Sequence, residues 1–402
     1  MLNESDRAID TLPEATPLVS APAGGFAANA LRARLREAVS EVFAIDSENI
    51  LPEDPRVSAI YTGRLLADSE TTYAQLDARF APLDHVATFS IVNNQQVVTA
   101  LKGRIVVTPR QWWPNALLFA LTVFSLFYIG SGFAGADPSL PPLAFLLSGW
   151  PYALGVILIL GTHELGHYFA ARYHKVAVTL PYFIPLPIPG TFGTLGAFIQ
   201  LREPMRNRKV LLDVGAAGPL AGLIVAIPVL LIGLKTSPVL TSPLTDLLML
   251  KVHAIDYGLE GNSILYALSK ILVFGRFLPS GMHDVFINAL AQAGWTGLLV
   301  TGLNLIPLGQ LDGGHALFSL IGERARLLYI PFLMGLAILA TFYQTWLLWI
   351  VLLLLLGRVY ATPLDMITKL DMRRRIIAIT ALVAFVLVFM PIPGQEVAMH
   401  LW

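Results

Sequence analysis

The chain has 402 residues, 55% of them hydrophobic and only 13% charged, against about 45–50% apolar and about 25% charged in soluble globular proteins. With a mean hydropathy of +0.66, this excludes one ordinary soluble core, and it excludes disorder, which needs low hydrophobicity and high net charge. A net charge of +0 removes the basic field that a nucleic-acid partner requires, and with no cysteine any transition metal must be held by His, Asp or Glu.

Charge is unevenly spread. Residues 1–112 hold 10 Lys+Arg and 14 Asp+Glu, 24 of the chain's 54 charged side chains, which reads as a polar N-terminal part followed by a membrane part. Residues 1–27, rich in Pro, Ala and acids, are expected to be a flexible tail, without the apolar stretch of a signal peptide or the Arg/Ser-rich look of a transit peptide. Residues 28–110 are expected to form a small α+β cytosolic domain. Leu31, Leu35, Val39 and Phe43 at helical spacing predict an amphipathic helix over 28–43. Residues 57–66 predict a strand, 71–80 a helix, and 85–92 and 96–107 two strands joined by a turn at Asn93-Asn94-Gln95. This order, α-β-α-β-β, carries nothing catalytic, and His85 at a strand start is read as structural.

Residues 111–402 are expected to be embedded in a bilayer. A spanning helix needs about 20 apolar residues, and uncharged runs cover 111–136, 138–162, 214–234, 285–311, 327–357 and 376–395. With the N-terminus inside, Lys175, Arg202, Arg206, Arg208 and Lys209 fall on the inner side, as the positive-inside rule demands. Arg358, Lys369, Arg373, Arg374 and Arg375 join them only if 327–357 holds two helices turning at Gln344-Thr345. The fold expected is therefore a polytopic α-helical membrane protein with about seven transmembrane helices. Its N-terminus is expected to be cytoplasmic and residues 262–274 to lie on the outer surface, and the lack of a transit-peptide look favours a bacterial plasma membrane.

His163-Glu164-Leu165-Gly166-His167 closes the second run. Residues i and i+4 share a helix face, so both imidazoles can bind one metal ion, with Glu164 beside its water as general base. A catalytic zinc takes three protein ligands and keeps one position open. His174, next to Lys175, is read as interfacial. Asp312 is the better third ligand: the segment Asn304-Leu305-Ile306-Pro307-Leu308-Gly309-Gln310-Leu311-Asp312-Gly313-Gly314 puts one carboxylate at the inner end of the fourth run, at the face that holds the histidines. Pro307 is expected to bend that helix and Gly313-Gly314 to end it. Against this stand a purely structural polar cluster and an Asp312 that merely faces water, but ionisable groups inside spans are costly and usually functional.

These two motifs together resemble the signature of the site-2 protease family, intramembrane zinc metalloproteases. The resemblance implies that His163, His167 and Asp312 ligate Zn2+, that Glu164 activates water, and that Asn304 polarises the scissile carbonyl or stabilises the oxyanion. Residues 185–200 and 213–222 are similar to the plant chloroplast subgroup named for ethylene-dependent gravitropism and yellow-green leaves, and to its bacterial relatives. Leu101-Lys102-Gly103-Arg104 departs from the Gly-Asn-Leu-Arg segment of that subgroup.

Residues 180–201 hold four prolines and three glycines, too apolar for a solvated loop and too Pro-rich for a helix. Such backbone survives at membrane depth only where it lines a cavity or is covered. A re-entrant hairpin is expected, its extended edge carrying Gly193, Thr194, Gly196 and Phe198 to the substrate backbone; a lipid-facing loop is the alternative. The small residues of 215–222 are read as a close-packing face. The function expected is hydrolysis of peptide bonds in or near transmembrane segments of membrane protein substrates. A metal transporter would need a polar path across the outer halves of these spans, which are uncharged. An inactive scaffold has no need of Glu164.

Overall fold

The computed structural model describes residues 23–49, 55–108, 110–240, 258–280, 283–392 and 394–396; most of the expected tail lies outside the described residues. The head is built from α1 (Ala23–Ser40), β1 (Phe43–Asn49), β2 (Val57–Leu65), α2 (Ser69–Phe80), β3 (His85–Val92) and β4 (Gln95–Lys102). The strands form one antiparallel sheet in the order β1-β2-β4-β3. Leu35, Val39, Phe43, Tyr61, Tyr73, Leu76, Phe80, Phe89 and Val98 fill its core. The hairpin turns where expected, with Asn93 and Asn94 at φ 50 and 64, the left-handed pair that two-residue hairpins need. Asp68 caps α2 by accepting from the Thr71 amide at 3.0 Å, and that capping holds its carboxyl below the usual aspartate range. His85 is structural: its Nδ1–H donates to the Leu83 carbonyl at 2.6 Å and its Nε2 lies 2.7 Å from Ser58 Oγ.

Two expectations in the head are corrected. Residues 43–49 form a strand, so the order is α-β-β-α-β-β. This edge strand buries only Phe43 among its seven residues, and a strand solvated along most of its length leaves little hydrophobic signal. The last strand stops at Lys102, because Gly103 turns away at φ +82.

Helices occupy the expected membrane runs. They are α3 (Trp113–Phe133), α4 (Pro142–Ser148), α5 (Trp150–Tyr173), α6 (Arg208–Lys235), α7 (Ile264–Phe274), α8 (Ala289–Asn304), α9 (Asp312–Ile321), α10 (Tyr329–Phe342), α11 (Thr345–Leu356) and α12 (Met372–Val388). Among the described residues, four stretches are long and apolar enough to cross a membrane: 113–133, 150–173, 208–235 and 312–342. The run 327–357 does divide at Gln344, but α10 and α11 have 14 and 12 residues, about 21 and 18 Å, shorter than a bilayer core of about 30 Å. The run 138–162 is broken at Gly149, whose missing Cβ would lie 2.1 Å from the Phe127 carbonyl on α3. Glycine also brings α8 against α5 and α6: a Cβ on Gly294 would lie 2.5 Å from Leu230 and one on Gly297 2.7 Å from Ile159.

The fourth run is corrected in a way that matters for chemistry. α8 stops at Asn304, the chain turns through 305–311, and Asp312 begins a new helix, α9. Pro307 therefore interrupts the span, and Gly313-Gly314 open α9. A Cβ on Gly313 would lie 1.9 Å from the Leu305 carbonyl and one on Gly314 2.5 Å from the Gly309 carbonyl. Only glycines let the first turn of α9 fold back onto that turn.

α7 has a buried face with Tyr266, Ser269 and Lys270 and an exposed one with Leu268 and Leu272. Its Lys270 is fully buried, 4.5 Å above the Tyr266 ring and 4.0 Å from Glu260, which accepts from the Tyr266 hydroxyl at 2.7 Å. Burial pushes the Lys270 ammonium down and the Glu260 carboxyl up.

The head is tied to the membrane part by residues 364–368. The Phe89 amide of edge strand β3 donates to Leu364 and the Met366 amide donates back to Phe89, at 2.8 and 2.9 Å. On its other side the same strap donates to the Met205 and Arg206 carbonyls, 3.0 and 2.8 Å away. Lys209 meets Glu70 of the head at 2.6 Å.

Candidate metal centre

α5 carries His163 and His167 one helical turn apart, both buried. α9 carries Asp312 at its first position. The three expected ligands come together: His163 Nε2 and His167 Nε2 are 3.1 Å apart, and Asp312 Oδ2 lies 3.3 Å from each. Three corners of a tetrahedron with metal–ligand bonds of about 2.0–2.1 Å are separated by about 3.3 Å. The donor chemistry fits as well. His167 Nδ1–H donates to the Val214 carbonyl of α6 at 2.7 Å, which leaves its Nε2 lone pair facing the carboxylate. Electron-rich atoms converging without a proton between them repel unless a cation sits among them. Two imidazoles and one carboxylate suit zinc, and no other group of three or more His, Asp or Glu among the described residues is placed to hold a metal.

α6 packs against this centre through its small residues. A Cβ on Gly218 would lie 2.1 Å from His167 Nε2, one on Gly222 3.2 Å from the His163 Cβ, and one on Gly215 2.7 Å from the His315 Cβ. The glycines of 215–222 are therefore the wall that the ligands lean on. Beside Val214, Asp213 accepts from Arg374 of α12 at 2.6 Å and from His174 at 2.9 Å. His174 thus has a carboxylate partner away from His163, His167 and Asp312.

A cavity of about 220 Å³ opens over the centre, lined in part by His163, Glu164, His167, Asn304 and Asp312. Glu164 is buried, and its Oε2 has no hydrogen-bond partner. Asn304, the last residue of α8, places Nδ2 3.4 Å from His163 Nε2. Two further residues line the cavity that motif reading passed over, Gln310 and His315. His315 stands three positions after Asp312, on the same helix face, and its Nδ1 is buried without a partner. That i+3 spacing was the available signal, hidden while Gly313-Gly314 read as a helix end.

Residues 180–201 form the expected hairpin, β5 (Tyr182–Pro185) paired with β6 (Thr194–Phe198). β6 has β5 on one side and no strand on the other among the described residues. Of the four expected substrate contacts, Phe198 lines the cavity, with Ala197 and Ile199 beside it. The other three shape the hairpin. Gly193 gives its carbonyl to Ser125 at 2.6 Å, Thr194 Oγ1 donates to the Ile184 carbonyl at 2.8 Å, and Gly196 turns the strand at φ +98.

Residues 151–342 match Peptidase family M50. "Probable zinc metalloprotease EGY2, chloroplastic" of Arabidopsis thaliana is 28% identical over 377 residues, 89% of this chain and 66% of that protein. "Probable zinc metalloprotease EGY1, chloroplastic" of Oryza sativa subsp. japonica is 33% identical over 238 residues, 54% of this chain and 39% of that protein. The Arabidopsis protein of the same name is 34% identical over 181 residues, 45% and 31% of the two chains. The chain thus spans just under two thirds of the length of the relatives it matches most fully. No solved structure matches it.

Proposed function

We propose that the chain is an intramembrane zinc metalloprotease that hydrolyses peptide bonds in or near transmembrane segments of membrane proteins, a reading supported by the match of residues 151–342 to Peptidase family M50. The observation that carries this reading is the triangle of His163, His167 and Asp312 with an unpartnered Glu164 oxygen in the same cavity. His163, His167 and Asp312 would hold the zinc, which when bound acts as a Lewis acid and lowers the pKa of water to about 7. Glu164 takes the proton of the attacking water and delivers it to the departing amide nitrogen. Its burial keeps bulk water from competing for that oxygen. Asn304 donates from Nδ2 to the scissile carbonyl oxygen as charge develops there. An uncharged amide is a low-cost donor in a membrane site.

The free edge of β6 offers backbone groups to an extended substrate segment, with Phe198 against the residue entering the cavity. A helical substrate therefore unwinds locally before cleavage. The membrane part counts seven crossings when α8, the turn and α9 make one interrupted span and α10 and α11 two short ones. The Lys/Arg distribution supports a head on the cytoplasmic side. A bacterial plasma membrane gains no support from the relatives, whose names read chloroplastic.

The reading is tested on purified full-length protein in detergent, assayed for zinc and for cleavage of a transmembrane peptide. One zinc per chain is expected, with cleavage lost on chelation and restored by zinc. Cleavage that persists in zinc-free protein would overturn it.

A further inference from the structure

A second cavity, of about 380 Å³, lies where α6 and α12 begin, and it is lined by Arg208, Lys369 and Arg375 with Leu320 and Leu370. Three neighbouring cations are paired with acids. Lys209 pairs with Glu70 at 2.6 Å, Arg374 with Asp213 at 2.6 Å, and Arg326 with Glu323 at 2.7 Å. The three cavity cations have no carboxylate partner among the described residues, and the cavity wall holds no acid. Arg208 is fixed in place, since its Nε and Nη2 both donate to the Ser319 carbonyl of α9, at 2.9 and 2.5 Å. Its Nη1 carries no such bond.

Three like charges around one hollow repel one another, and of the three Arg208 is half-buried while Lys369 and Arg375 are exposed. An anion removes that repulsion. Arg208 is the first residue of α6, and Arg375 lies in the first turn of α12, so the hollow stands where two helices enter the bilayer. The helix-end amides are already capped by Asn207 and Asp371, which leaves the guanidinium and ammonium groups to make the contact. Leu320 and Leu370 add an apolar wall beside the charges. A ligand that brings a negative phosphate to this level together with hydrocarbon is an anionic glycerophospholipid.

We propose that Arg208, Lys369 and Arg375 form a binding site for the phosphate headgroup of an anionic membrane lipid, separate from the metal centre. Two of the three cations can be removed without disturbing the Arg208 clasp. The test uses full-length protein in neutral detergent, titrated with phosphatidylglycerol and followed by native mass spectrometry. Wild type is expected to retain phosphatidylglycerol over phosphatidylcholine, less so as salt rises. Lys369→Gln/Arg375→Gln is expected to bind it about thirtyfold more weakly, while Lys369→Arg/Arg375→Lys retains it. Zinc content, unaffected in both, reports that the chain is folded. Phosphatidylglycerol bound equally by the Gln variant and wild type would overturn the site. Displacement of the lipid by an equal concentration of inorganic phosphate would overturn the lipid source, since the site would then serve a free phosphate.

Discussion

Gly218 and His167 are so close that a methyl group on the glycine would lie 2.1 Å from the imidazole Nε2. The nitrogen that faces Asp312 is thus bounded by the bare backbone of α6, and no side chain fits at 218 without displacing the ring. The same helix holds the other end of that ring through the Val214 carbonyl. One element sets both the position and the tautomer of an imidazole carried by another.

Gly218→Ala is therefore expected to lose zinc. Overpacking of a tight contact costs about 1–3 kcal/mol, and here the group that must yield is the ligand itself. Inductively coupled plasma analysis of the purified variant checks it, with Gly161→Ala as control, since a Cβ there meets nothing within 4 Å. Equal zinc in both variants contradicts the packing account.

Asp312 and Asn304 should separate in their effects. Asp312→Ala leaves two imidazoles and should lose both metal and cleavage. Asn304→Ala should keep the metal while turnover falls by about 10²–10³-fold, the usual cost of one oxyanion donor. Zinc content and rate measured on the same preparations distinguish them. An Asn304→Ala protein without zinc would make the amide a support for His163.

Asp365 organises the strap that binds the head. It is fully buried and accepts from the Ile367 and Thr368 amides at 2.8 and 3.1 Å. Burial raises its carboxyl above the usual range. Asp365→Ala leaves those amides unpaired, a loss of about 1–3 kcal/mol. Limited proteolysis should then cut the 103–112 linker faster than in wild type. An unchanged rate would mean that the head is held by its other contacts.

The orientation assumed for catalysis can be read with single cysteines, since the chain has none of its own. Ser280 and Ser139 are exposed, as is Ser40 in the head. Ser280→Cys and Ser139→Cys should react with an impermeant thiol reagent added outside sealed cells, and Ser40→Cys only after lysis. Reaction of Ser40→Cys from outside would reverse the topology.

The cluster of His163, His167 and Asp312 was legible in the sequence because metal-binding chemistry forces few residue types into fixed spacing: His163 and His167 at i and i+4, and a lone carboxylate in an apolar run. The turn at Gln344 was legible from charge, because one helix would have left the arginines of 373–375 on the wrong side. The break between Asn304 and Asp312 was not. An uncharged run looks the same whether it is one helix or two joined by a turn, and the glycines that decide it act through the Leu305 and Gly309 carbonyls, contacts invisible before folding. β1 stayed hidden because six of its seven residues are not buried. His315 and the cavity of Arg208, Lys369 and Arg375 depend on elements far apart in the chain, and no local pattern announces such a meeting.

The central claim, that a metal-dependent protease works here with Glu164 as its base, is tested most directly by Glu164→Gln. The substitution keeps both imidazoles and nearly the same volume but removes the proton acceptor. Zinc content and cleavage of a transmembrane peptide are measured together on the purified protein. The account predicts wild-type zinc with cleavage reduced at least 10²–10⁴-fold. Cleavage near the wild-type rate would contradict it.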